Sequence, residues 1–138
     1  MNQNILVAVD GSNVSEKAFE YVLKRSKELN DNLTILKVVE SYGYPEKATE
    51  EVLKGEISQA ENLIRKLEER AEKQGVKAES EVIVESNAAN GIVKYAKEKG
   101  SDLIVVGGQG KTDLETVQLG SVSEGVVKRA GCPVLVYR

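Results

Sequence analysis

The chain has 138 residues, 41% hydrophobic and 30% charged, with a formal net charge of −3, a single cysteine and no histidine. A length within the usual ~100–200 residues per domain gives an expectation of one domain over residues 1–138. The slight acidity excludes a general attraction to nucleic acid or an anionic membrane, and the missing histidine excludes His-dependent triads, His metal sites and imidazole pH switching. Cys132 has no partner for a disulfide, and its setting between Gly131 and Pro133 reads as that of a small buried residue. The opening MNQNILVAVDGS has no basic segment ahead of a long apolar core, and no apolar run approaches the ~20 residues that span a bilayer. The expected location is the cytoplasm.

Five short Val/Ile/Leu-rich blocks recur along the chain: 5–9, 33–39, 78–85, 102–107 and 133–137. Each has strand length, and each is separated from the next by a charged, helix-length stretch. The first and fourth are nearly unbroken apolar runs, as expected of strands covered on both faces. The third alternates through Glu79, Glu81, Val82 and Val84, which fits a strand nearer an edge.

The first predicted helix follows Ser12 or Ser15 and carries Ala18, Val22 and Leu29 on one side. The second covers about 46–74; its apolar positions Leu53, Ile57, Ala60, Ile64, Leu67 and Ala71 step by four and three. That seam is short for a coiled coil and reads as a face packed on the sheet, with Gly75 ending the helix. A third helix begins near Asn87, packs Ile92 and Ala96 and stops at Gly100, a position suited to a left-handed cap. The fourth begins at Gly120-Ser121 and presents Val122, Val126 and Val127. Segment 40–48, with Gly43 and Pro45, reads as a loop.

The resulting β-α-β-α-β-α-β-α-β order predicts an α/β fold, a doubly wound, Rossmann-like parallel sheet of five strands with four helices. Ligands in such sheets sit outside the carboxyl ends of the strands, where strand order reverses. Two of those ends are unusual: Asp10-Gly11-Ser12 after the first strand, and Gly107-Gly108-Gln109-Gly110 after the fourth.

Residues 107–112, GGQGKT, invite comparison with the phosphate loop G-x-x-x-x-G-K-[ST]. Aligning Gly110, Lys111 and Thr112 on its end puts Val105 where the first glycine is required. A different spacing holds instead: Gly107, Gly110, Gly120 and Ser121 form G-x2-G-x9-G-S. Glycines there let the backbone approach a ligand with its N–H groups facing it. A helix start behind them adds unpaired N–H groups and the positive end of its dipole, which is an anion site without net basic charge. Ser121 and Ser123 are candidate hydroxyl donors. Lys111 reads either as an exposed loop lysine or as a cation near the phosphates. Asp10 followed by Gly-Ser also has a structural reading, as a turn initiator and helix cap.

Together, ILVAVDGS, KVVE, DLIVVGGQG and LGSVSEGVVKRAGCPVLVYR resemble the universal stress proteins over nearly the whole chain, and the glycine spacing matches the ATP-binding signature of that family. The resemblance implies a sheet in the order 3-2-1-4-5 with ATP as ligand. It places Asp10 by the ribose, Val38 at the adenine, Gly107 and Gly110 near ribose and phosphates, and Gly120, Ser121, Val122 and Ser123 around the phosphates. It also implies a homodimer pairing the last strands, Pro133 to Tyr137, and an exposed sheet edge benefits from such pairing.

Hydrolysis of ATP requires an oriented water and charge-stabilising cations, and the sequence supplies binding groups more clearly than these. The expectation is an ATP-binding stress-response or regulatory protein, a nucleotide-dependent switch with slow or no hydrolysis and an unidentified protein partner. Mg²⁺ or Mn²⁺ is the cation ATP commonly brings. The alternatives are a weak ATPase and a nucleotide-free dimeric interaction protein. A flavin or dinucleotide site would want G-x-G-x-x-G at the first turn, which holds only DGS.

Overall fold

The elements alternate without interruption: β1 (Asn4–Ala8), α1 (Asn13–Leu29), β2 (Asn32–Glu40), α2 (Glu46–Lys73), β3 (Ala78–Glu85), α3 (Ala88–Lys99), β4 (Leu103–Gly107), α4 (Ser121–Arg129) and β5 (Val134–Tyr137). This computed structural model describes residues 2–41, 46–108 and 119–138. All strand pairs are parallel, and the sheet order is β3-β2-β1-β4-β5. The reversal of strand order falls between β1 and β4, with Ile5 opposite both Leu33 and Leu103.

Alternation along the strands divides the core in two. Ile5, Val7, Leu33, Ile35 and Val105 pack with Phe19 and Leu23 of α1 and Ile64 and Leu67 of α2. Leu6, Leu36, Val38, Ile104 and Val106 pack with Ile92 and Tyr95 of α3 and Val126 of α4. Phe19, Val22 and Leu23 are fully buried; truncating such a Phe to Ala typically costs about 3–5 kcal/mol. Among the described side chains of α2, Ala60, Ile64, Leu67 and Ala71 are buried and Leu53 and Ile57 partly so, which lays the four-three stripe against the sheet, as its short length suggested. Strand β3 occupies one edge and β5 the other.

Local signals explain the ends of the helices. Ser12 is the N-cap of α1 and its side chain accepts from the Ser15 N–H, which settles the choice between the two serines. Asn87 caps α3 in the same way through Asn90 N–H. The last turns close through left-handed Asn30 (φ 56°) and Gly100 (φ 67°). Next to Asn30 the buried Asp31 carboxylate accepts from Gln3 N–H at 3.0 Å and Arg25 Nε at 3.4 Å.

Two expected core residues lie outside the core. Leu29 is 52% exposed, because it is the final residue of α1 and Ser26 is the last to pack inward. Val127 is 46% exposed: neighbouring helix positions differ by about 100°, and Val126 takes the inward one. Cys132 is partly rather than fully buried; that burial, with Asp102 nearby, pushes its thiol pKa up and away from thiolate chemistry. Among the described residues no helix is long and apolar enough to cross a membrane.

Candidate functional site

At the carboxyl ends of β1, β2 and β4 lies a cavity of about 200 Å³, lined on the strand side by Ala8, Asp10, Val38 and Gly107 and on the helix side by Ile92, Val122 and Ser123. It is smaller than the ~300 Å³ at the low end of small-molecule sites. A second cavity of about 260 Å³ shares Glu40, Ala88 and Val122 with it and continues past Ser121 to Lys128. The two form one groove running from the strand ends across the start of α4.

The inner end of the groove is made by unequal strand lengths. The β1 ladder finishes at Ala8 opposite Leu36, with one more bond from Val9 N–H to the Leu36 carbonyl. Peptide groups in a parallel strand face alternate neighbours, so the next β1-facing groups of β2 are those of Val38, beyond the end of β1. The Val38 side chain is buried on the α3 face. Its carbonyl accepts from the Lys37 ammonium at 3.1 Å.

Asp10 sits at the turn from β1 into α1. Its Oδ1 accepts from Ser12 N–H at 2.9 Å, and its own N–H donates to Ser15 Oγ at 3.1 Å. Gly11 completes the turn with φ +86°, a conformation an L side chain rarely adopts. The carboxylate is exposed at the mouth of the groove.

The other wall is the start of α4. Gly120 is its N-cap, in extended conformation and with no side-chain cap hydrogen bond, unlike Ser12 in α1 and Asn87 in α3. The first bond within the helix runs from Glu124 N–H to the Gly120 carbonyl, so the N–H groups of Ser121, Val122 and Ser123 have no helical acceptor. The dipole adds about half a positive charge at that end. Such a helix start attracts an anion, and the exposed Ser121 stands beside it. Ser123, by contrast, is buried, and its hydroxyl donates to the Gly107 carbonyl at 2.7 Å.

The chain matches the Universal stress protein family over residues 1–138. It belongs to that family. Among its relatives, universal stress protein YxiE of Bacillus subtilis is 37% identical over 152 residues, covering 100% of both chains. The UspA universal stress protein of Lactobacillus plantarum superposes with a TM-score of 0.87 at 30% identity, covering 99% of this chain and 97% of its own. A universal stress protein in complex with cAMP gives a TM-score of 0.76 at 25% identity over 99% of this chain and 97% of that one.

In this universal stress protein the groove brings together Asp10, Val38, Gly107, Val122 and Ser123, with Gly120 and Ser121 at its far wall. Gly110 lies outside the described residues, as do Lys111, Asp113 and Glu115. Gly107 has a packing role of its own: a Cβ there would stand 3.0 Å from Ser15 N and 3.2 Å from Val14 C. Three polar residues lining the inner cavity escaped the sequence reading. Glu40 ends β2, and its Oε2 accepts from Ala88 N–H at the start of α3 at 3.2 Å. Lys37 reaches over Val38, and Ser15 holds the Asp10 backbone. The first two sit at the carboxyl end of a strand, and the rule that ligands gather there was the signal available for them.

Proposed function

We propose that the chain is a nucleotide-binding regulatory protein whose groove takes an adenine nucleotide, ATP in the first instance. The carrying observation is convergence: the Val38 peptide beyond the end of β1, the Asp10 carboxylate and the uncapped start of α4 line one continuous groove. The base stacks on the Val38 and Ile92 side chains and reads the Val38 peptide, Asp10 accepts from ribose hydroxyls, and the phosphates lie on the N–H groups of Ser121, Val122 and Ser123. The cAMP complex of a relative at 25% identity supports the same ligand class. Any Mg²⁺ or Mn²⁺ arrives with the phosphates.

Among the described residues, the carboxylates lining the groove are Asp10, at the ribose end, and Glu40 and Glu124. Neither glutamate is free to act as a base without loss elsewhere, since Glu40 accepts from Ala88 N–H and Glu124 pairs with Lys128 at 2.9 Å. That favours binding with slow or no hydrolysis, occupancy acting as the signal to a partner protein. Dimerisation through the open edge of β5 belongs to the same reading. One observation favours a nucleotide-free interaction protein instead: Gly107 is accounted for by α1 packing alone.

The test is to denature freshly purified protein and identify released nucleotides by chromatography and mass spectrometry, with calorimetric titration of stripped protein by ATP. Stoichiometric ATP, or saturable binding after stripping, is expected; no release and no binding would leave the interaction protein. ADP or AMP in the released material, with turnover by purified protein, would replace the switch by an ATPase.

A further inference from the structure

At the inner end of the groove the hydrogen-bonding edge of β2 is already modified by its own side chain. Val38 is the residue whose peptide groups lie beyond β1, and a bare peptide there offers one donor and one acceptor. That pair complements the amino group and adjacent ring nitrogen of a 6-aminopurine. Here the acceptor is taken, because the Lys37 ammonium donates to the Val38 carbonyl at 3.1 Å.

Lys37 belongs to both sides of this edge. Alternation sends its side chain to the α2 face, where it lines a cavity of about 390 Å³ with Asp10, Glu56 and Gln59. It also lines the groove beside Val38 on the opposite face. The long stem therefore wraps over the carboxyl end of the sheet and delivers three donors and no acceptor to the place where a base edge would dock. Asp10 lines both cavities, so a carboxylate stands near the alternative position of the ammonium.

We infer that Lys37 is a specificity-determining residue for the base: its ammonium competes with a 6-amino group for the Val38 carbonyl and offers a donor to a 6-oxo group. The inference rests on the nucleotide reading above and refines it. A carbonyl oxygen can accept two hydrogen bonds, but the second donor would lie alongside a full positive charge. A 6-aminopurine must displace the ammonium toward the α2 side. A 6-oxopurine leaves it in place and accepts from it through its carbonyl oxygen, a charge-assisted bond, while its N1–H, where a 6-aminopurine has a bare acceptor nitrogen, faces the Val38 N–H donor to donor. The ammonium consequently narrows the preference for the amino base that the Val38 peptide alone would set, and its removal widens that preference.

The experiment compares AMP and IMP, which share ribose and phosphate and differ at that substituent and in the N1 proton of IMP, a difference common to both proteins, by calorimetric titration of nucleotide-stripped wild type and Lys37→Met. Methionine keeps an unbranched stem without the charge. Lys37→Met is expected to favour AMP over IMP by roughly tenfold more than wild type does, the scale of one hydrogen bond to a charged group. An unchanged AMP/IMP ratio, with both nucleotides still binding, would overturn the role of Lys37 and leave the nucleotide site standing. Failure of both to bind either protein, each folded by circular dichroism, would overturn the nucleotide reading and this inference with it.

Discussion

The Ser123 hydroxyl donates a 2.7 Å hydrogen bond to the Gly107 carbonyl, tying the first turn of α4 to the last residue of β4. Ser123 is 3% exposed. In Ser123→Ala a part-buried carbonyl loses its donor, which costs about 1 kcal/mol; urea unfolding would measure it. The uncapped N–H groups would also be less firmly placed, so ATP should bind more weakly than to Ser121→Ala, whose hydroxyl caps nothing. Equal losses from the two variants would place the phosphates on side chains rather than on the helix backbone.

Gly107→Ala tests packing directly. The new Cβ meets the α1 backbone at Ser15 N and Cα, 3.0 and 3.1 Å away. Backbone cannot swing aside as a side chain can, so the variant is expected to lose about 1–3 kcal/mol without any ligand present. A melting temperature within error of wild type would return Gly107 to a purely ligand-facing role.

Gly120→Ser exchanges stability for binding. The N-cap has φ −64° and ψ 161°, open to any L residue, and serine supplies the cap oxygen that Gly120 lacks. Stability should rise by roughly a few tenths of a kcal/mol. Affinity for ATP should fall, because the new hydroxyl satisfies an N–H that a phosphate would otherwise use. A tighter nucleotide complex, measured by titration, would show the phosphates lying elsewhere.

Tyr95 gives a pH signature away from the groove. Its hydroxyl donates to Glu81 Oε1 at 3.1 Å, and burial, reinforced by Glu81, raises its pKa from 10.0 to about 12. The folded state therefore holds the proton more tightly than the unfolded chain. The contribution is fully present below pH 10 and is lost as pH rises through about 12. Tyr95→Phe should lower stability at neutral pH by about 1 kcal/mol, and the gap from wild type should close over that alkaline window. A gap of constant size up to pH 12 in chemical denaturation would show that the proton is not held.

Strand positions were legible in the sequence because each strand is a dense apolar block, and four-three spacing placed the α2 stripe on residues that are buried from Ala60 onward and partly buried at Leu53 and Ile57. Ser12, Asn87 and Gly100 announced helix ends by their chemistry. The groove was legible where its lining coincides with a backbone requirement, as at Asp10-Gly11 and Gly120-Ser121. It was not legible where position depends on tertiary geometry. Nothing in the local sequence shows that β1 stops short of Val38, that Lys37 turns back over its neighbour, or that Gly107 is filled from outside by α1. Leu29 and Val127 show the reverse failure, since a periodic stripe continues in sequence past the surface that could bury it.

Because consecutive residues of β2 face opposite layers, Lys37 and Val38 owe their separate duties to a single step of the pleat. A one-residue insertion upstream in β2 that preserved pairing at its start would exchange them, turning the ammonium into the α3 side and the isopropyl group toward α2. The apolar bed and the charged arm over it would trade places. In this strand the proposed reading of a ligand and the filling of the core would therefore be inherited as one trait, and neither could drift along the chain without carrying the other.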